Sequence, residues 1–128
     1  MIQIQAVMII IQKDNKFLFG KRSLWKKAAP GYWCPVSGKI ETGESEIEAV
    51  CREAWEEVGL KVETVKKLTE MDTRDGSGRL HFWLVRILEG EAYLKNDEHS
   101  EIGWFTLEEL RLLDPTFHED LAILESLT

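Results

Sequence analysis

The sequence predicts an α/β fold in which a mixed β-sheet is flanked by helices. Two observations set that class. Segments rich in β-branched residues interleave with amphipathic helical ones, yet the order lacks the regular βαβ rhythm of a doubly wound parallel sheet. A third observation sets the scale: 128 residues, 44% hydrophobic and 30% charged, without repeats, low-complexity tracts or a Pro/Ser linker, fit a single domain over residues 1–128 with a substantial core.

Ile2 to Gln12 is rich in β-branched residues and reads as a buried strand, with Asp14-Asn15 turning the chain into Phe17-Leu18-Phe19 as a hairpin partner. Ser23 to Gly38, which contains LWKKAAPGYWCPVSG, carries Gly and Pro punctuation and is expected to be a loop. Ser45 with Glu48 forms a capping box and Gly59 supplies a stop, so a helix is expected from about residue 46 to 58. Its apolar stripe is Ile47, Val50, Cys51, Ala54 and Val58. Val62 to Met71 and Leu80 to Leu88 are expected to pair antiparallel across the Asp75-Gly76 turn. Ile102 to Phe105 is a short strand, Thr106 caps a helix over Leu107 to Leu113, and Pro115 opens a last helix to about Leu127.

The formal charge of -7 argues against broad nucleic-acid or anionic-membrane binding, while leaving room for one small phosphorylated ligand at a locally cationic site. The longest apolar run, Ala6 to Ile11, is far short of the roughly 20 residues of a membrane span, and the N-terminus lacks a leader pattern, so a soluble cytoplasmic protein is expected. Cys34 and Cys51 lack zinc-type spacing and read as small hydrophobes rather than a bridge.

The stretch CREAWEEVGL sets Glu53, Glu56 and Glu57 within about 100° of one another on a helix, on a face adjoining the apolar stripe. Like charges at these spacings repel by a few tenths of a kcal/mol when exposed and more when desolvated. Arg52, able to reach Glu48 or Glu56 along the helix, offsets only part of this. A solvated acidic face is the plain alternative. A hard dication resolves the crowding better, since Mg²⁺ takes carboxylate oxygens together with substrate phosphates.

From Gly38 to Leu60 the segment GKIETGESEIEAVCREAWEEVGL resembles the Nudix box: Gly38, Glu44, Arg52, Glu53, Glu56, Glu57, Gly59 and Leu60 occupy its required positions, and Ala54 is a small occupant of an aliphatic one. The flanks KRSLWKKAAPGYW and EIGWFTLEEL are similar to those of the family, whereas VSGKIE replaces the common Pro-Gly-Gly opening. The resemblance implies an α/β/α sandwich and a Mg²⁺-dependent (Mn²⁺ as substitute) hydrolase of nucleoside diphosphate derivatives. It implies Glu53, Glu56 and Glu57 as metal ligands, with the Ser37 carbonyl and Glu44 as further contributors. Arg52 is expected to orient a glutamate. Glu53, then Glu98, then Glu101 are the candidates for the base that deprotonates water. His99, His81 and His118 are expected to be bystanders, His99 an exposed one. Arg22, Lys39, Arg74, Arg79 and Trp33 are candidate substrate contacts, together with Lys21 and the aromatics Trp25, Tyr32, Phe82 and Trp83. Subfamily marks are mostly absent, and the short chain leans toward a (d)NTP pyrophosphatase releasing (d)NMP and pyrophosphate. A nucleotide-sugar or RNA-cap hydrolase is the alternative, and a non-catalytic nucleotide-binding module ranks behind both. The sequence does not dictate oligomeric state; a homodimer is compatible with it.

Overall fold

The computed structural model describes residues 3–128, so Ile2 of the first expected strand lies outside the described residues. The elements run β1 (Ile4–Lys13), β2 (Lys16–Arg22), β3 (Trp33–Lys39), α1 (Glu46–Val58), β4 (Lys61–Asp72), β5 (Gly78–Glu89), β6 (His99–Phe105), α2 (Leu107–Leu112) and α3 (His118–Glu125). The sheet order is β4-β5-β1-β3-β2-β6. β1 pairs parallel to β5, and the other pairings are antiparallel, which makes the sheet mixed.

Alternation along the strands divides the apolar residues into two layers. Val7, Ile9, Ile11, Leu18 and Val36 face one side, where Ala49, Val50, Ala54 and Val58 of α1 complete a core. Met8, Ile10, Phe17, Phe19 and Phe82 face the other, covered by Leu107 and Leu110 of α2 and Leu124 of α3. The result is an α/β/α sandwich. Because all four α1 core residues are inaccessible to solvent, the helix is fixed along its length, and each buried Val contributes on the order of 1.5 kcal/mol or more.

The expected loop from Ser23 to Gly38 ends instead in β3, an interior strand. Pro35 argues against a central strand because it donates no ladder hydrogen bond. It is tolerated here because β3 changes partner at this point: Trp33 to Pro35 pair with β2, and Val36 to Lys39 pair with β1. The last helix also begins later than expected. Pro115 does not open it; its carbonyl accepts from Trp33 N at 2.9 Å, Thr116 bridges to Trp33, and α3 starts at His118.

Candidate active site

Helix α1 carries the site, and its ends are fixed by local chemistry. Ser45 accepts from Glu48 N at 3.1 Å while Glu48 Oε1 accepts from Ser45 N at 2.9 Å, and Gly59 takes the left-handed conformation at φ 68° that stops the helix. Glu48 is therefore occupied at the cap. Arg52 does not reach it, contrary to one of the two sequence expectations.

Arg52 instead ties the acidic residues together. Its guanidinium donates to Glu44 Oε2 at 2.7 Å and Oε1 at 2.9 Å, to Glu53 Oε1 at 2.7 Å, to Glu56 Oε2 at 3.1 Å and to the Lys39 carbonyl at 2.9 Å. These bonds hold Glu44 down to about 2 and join the loop after β3 to the middle of α1. The sequence placed Glu44 at the loop–helix junction; it did not show that both its oxygens would be taken by one arginine.

Glu53 and Glu57 are buried, at 7% and 8% exposure, whereas Glu56 is half exposed. Glu53 fits against β3 only because residue 38 is glycine: a Cβ there would stand 1.9 Å from the Glu53 carboxyl carbon. Glu57 Oε2 is buried with no hydrogen-bond partner. Burial first, then the charges of Glu53 and Glu98, raise the Glu57 carboxyl to about 7. Burial also raises Glu53, against the pull of Arg52. Glu56 and Glu57 sit in the last turn of α1, which has no basic residue of its own and where the helix dipole disfavours anions.

Among the described residues, three or more acidic, His or Cys side chains do not converge into a ready-made metal cage. Arg52 draws Glu44, Glu53 and Glu56 to itself. The chemistry of the donor set nevertheless fits a hard dication: carboxylate oxygens, with Glu53 and Glu57 both buried and the Glu57 carboxyl raised first by burial and then by the charge of Glu53. Ser37 lies on β3 opposite Met8, one residue before Gly38.

Other expected residues divide into those near this centre and those committed elsewhere. Glu98 is close enough to Glu57 to raise it, and it pairs with Lys26. Glu101 is exposed on β6 opposite Lys21. Arg22 donates to the Ala28 carbonyl at 2.8 Å, and its charge acts on both His99 and Cys34. Lys39 ends β3 and lends its carbonyl to Arg52. Arg74 pairs with Glu119 at 2.7 Å and lies over the Phe117 ring at 5.4 Å. Arg79 is held by Glu70 and Asp72, both at 2.8 Å. Trp33 meets Phe105 edge-on in the second core layer, and Phe82 is fully buried there.

Two buried polar residues escaped the sequence reading. His99 is only 5% exposed, not an exposed bystander, and burial lowers it to about 4, so its ring is neutral at pH 7. Asp120, also 5% exposed, has an unpartnered Oδ2 and is raised to about 7, first by burial and then by Glu119. Its charge acts on Cys34, whose thiol burial pushes up to about 12. The charge of Arg22 acts on both Cys34 and His99. The spacing of Asp120 to Leu124 on the apolar side of α3 was the available signal for Asp120. His81, expected to be a bystander, is buried too, between Glu70 at 3.0 Å and Gln5 at 2.7 Å.

With this geometry described, comparison with known proteins is direct. The NUDIX domain model matches residues 1–127, and the chain belongs to that family, as an enzyme of the Nudix hydrolases. It is 35% identical over 126 residues to the CTP pyrophosphohydrolase of Escherichia coli K12, covering 96% of this chain and 90% of that one. The NAD-capped RNA hydrolase NudC of Chromobacterium violaceum is 26% identical over 105 residues, but those span 82% of this chain and only 38% of NudC. The crystal structure of a MutT NUDIX hydrolase from Burkholderia pseudomallei superposes with a TM-score of 0.82 at 27% identity, covering both chains in full. None of the helices among the described residues is long and apolar enough to cross a membrane.

Proposed function

We propose that this protein is a Mg²⁺-dependent nucleoside triphosphate pyrophosphatase that releases a nucleoside monophosphate and pyrophosphate. The observation that carries the reading is the buried pair Glu53 and Glu57 on α1, with the Glu57 carboxyl raised to about 7 by burial and then by the charge of Glu53. The similarity to a CTP pyrophosphohydrolase over nearly the whole of both chains supports the triphosphate substrate.

Glu53, Glu56 and Glu57 would hold the cation, with Glu44 and the Ser37 carbonyl beside them. Mg²⁺ bound there supplies charge neutralisation of the diphosphate bridge and acidifies a ligated water. Arg52, which donates to Glu53 Oε1 at 2.7 Å, would orient Glu53 as the first candidate for the base that takes a proton from water. Glu98, paired through one oxygen with Lys26, is the second candidate for that base. Arg22, whose charge acts on His99, would be the first candidate to meet phosphate or ribose. Arg79 is held in ion pairs with Glu70 and Asp72 on the β4–β5 side and Trp33 in the second core layer, so they rank below Arg22, as does Arg74, which is engaged by Glu119. With both cysteines free, a reducing compartment such as the cytoplasm is the proposed setting.

A nucleotide-sugar or RNA-cap substrate is the second reading, favoured by the NudC similarity. Product release from CTP, dCTP, the other NTPs and dNTPs, a sugar nucleotide and NAD-capped RNA, measured with Mg²⁺ or EDTA, tests both. Monophosphate and pyrophosphate from triphosphates, abolished by EDTA, are expected. Turnover confined to the sugar nucleotide or capped RNA supports the second reading, and release of diphosphate with inorganic phosphate contradicts the first.

A further inference from the structure

His99 opens β6 at a β-bulge. Glu101 pairs with Lys21, but Arg22 pairs with His99, so Ser100 is the extra residue. Simple alternation back from Trp104 and Ile102, which pack toward the α1 core, would turn residue 100 inward. The bulge exposes Ser100 and turns His99 in instead, a re-aiming that bulges perform near sites. The strand beside it is shaped to admit the ring: a Cβ on Gly20 would lie 2.5 Å from His99 Cδ2.

Inside, both His99 ring nitrogens are buried without hydrogen bonds, and Nδ1 stands 3.8 Å from Glu57 Oε2, which is itself buried and unpartnered. An unpaired buried donor or acceptor is destabilising, because it has given up its hydrogen bonds to water. A single bond between these two groups satisfies both. The 3.8 Å separation exceeds the roughly 2.7–3.2 Å of a hydrogen bond by about 0.6 to 1.1 Å, so a small shift of either side chain would form it.

We propose that His99 is a positioning residue for Glu57: its Nδ1–H donates to Glu57 Oε2, which holds that oxygen back against the sheet and presents the other to the bound cation. The proton then belongs on Nδ1, leaving the Nε2 lone pair beside Gly20 as the lesser unsatisfied group. The bond strengthens when Glu57 ionises, because a charged acceptor makes a shorter and stronger bond. Histidines that buttress a metal-bound carboxylate act through orientation, and loss of such a partner typically weakens metal binding by about 10–100-fold. The proposal rests on Glu57 being a cation ligand.

Three variants of the whole chain test it, read by Mn²⁺ affinity from electron paramagnetic resonance and by ring ¹⁵N shifts in the Mg²⁺-loaded wild type. His99→Asn can place an amide donor near the Nδ1 position, His99→Gln near Nε2, and His99→Phe keeps the ring shape with neither. Expected are an Nδ1-protonated ring, Mn²⁺ affinity within about threefold of wild type for His99→Asn, and weakening of about tenfold or more for His99→Gln and His99→Phe. A ring protonated on Nε2, or wild-type affinity in His99→Phe, overturns the positioning role alone. Absence of saturable Mn²⁺ binding in the wild type overturns the reading of Glu57 beneath it. The ring shifts need no variant, so a misfolded substitution does not shield the proposal.

Discussion

Replacing Glu57 by Gln should make the cation-free protein more stable at pH 8 while removing its response to Mg²⁺. The Glu57 carboxyl rises from 4.5 to about 7 in the folded chain, mainly because it is buried. A group raised on folding contributes stability that is present below its unfolded value and lost as pH climbs through the folded one. At about 1.4 kcal/mol per pH unit, the rise amounts to about 3 kcal/mol forfeited between pH 4.5 and 7. Glutamine keeps the shape and never ionises. The assay is urea unfolding in EDTA at several pH values from 5 to 8, wild type against Glu57→Gln. The difference should stay below about 1 kcal/mol at pH 5 and reach about 3 kcal/mol in favour of the variant at pH 8. Asp120 titrates over an overlapping range, but it is present in both proteins and cancels in the comparison. Millimolar Mg²⁺ should then stabilise the wild type and not the variant. A stability difference that is flat across this pH range would refute the reasoning.

Gly38→Ala should drive the Glu53 carboxylate out of its place, since the new Cβ would stand 1.9 Å from it; a loss of about 2 kcal/mol in stability and at least a hundredfold drop in nucleotide turnover are expected, checked by thermal melting and a pyrophosphate assay. Arg52→Lys cannot reproduce five donated bonds to Glu44, Glu53, Glu56 and Lys39, so denaturant unfolding should show a loss of about 2 kcal/mol, and kcat should fall along with it. Asp120→Asn removes a buried carboxyl raised from 3.8 to about 7; the variant should match wild type below pH 4 and exceed it by up to about 4 kcal/mol above pH 7, in pH-resolved melting.

How far the sequence led can be seen element by element. The capping box Ser45 to Glu48 and the Gly59 stop delimited α1 correctly because both signals are local. The burial of Glu57 followed from its angular place beside the apolar stripe, and that of Glu53 followed from an absent side chain at Gly38, eight residues before the helix begins. β3 was hidden by Pro35, because its partner switch depends on β1 and β2 and leaves no trace in WCPVSG. His99 was misjudged for a related reason: alternation from Ile102 points at Ser100, and only the bulge against Arg22 turns the histidine inward. Among the substrate candidates, spacing could not reveal that Arg79 would be taken by Glu70 and Asp72, or Arg74 by Glu119, since those partners meet only through sheet register and helix docking.

Calorimetric titration of Mn²⁺ into the EDTA-treated, dialysed protein at pH 7.5 tests most directly whether the buried carboxylates of α1 hold the ion on which nucleotide cleavage depends. Wild type should show saturable binding accompanied by proton release, seen as a dependence of the heat on buffer ionisation enthalpy, and Glu57→Gln should lose both. Equal binding by the two proteins, or none by wild type, would contradict it.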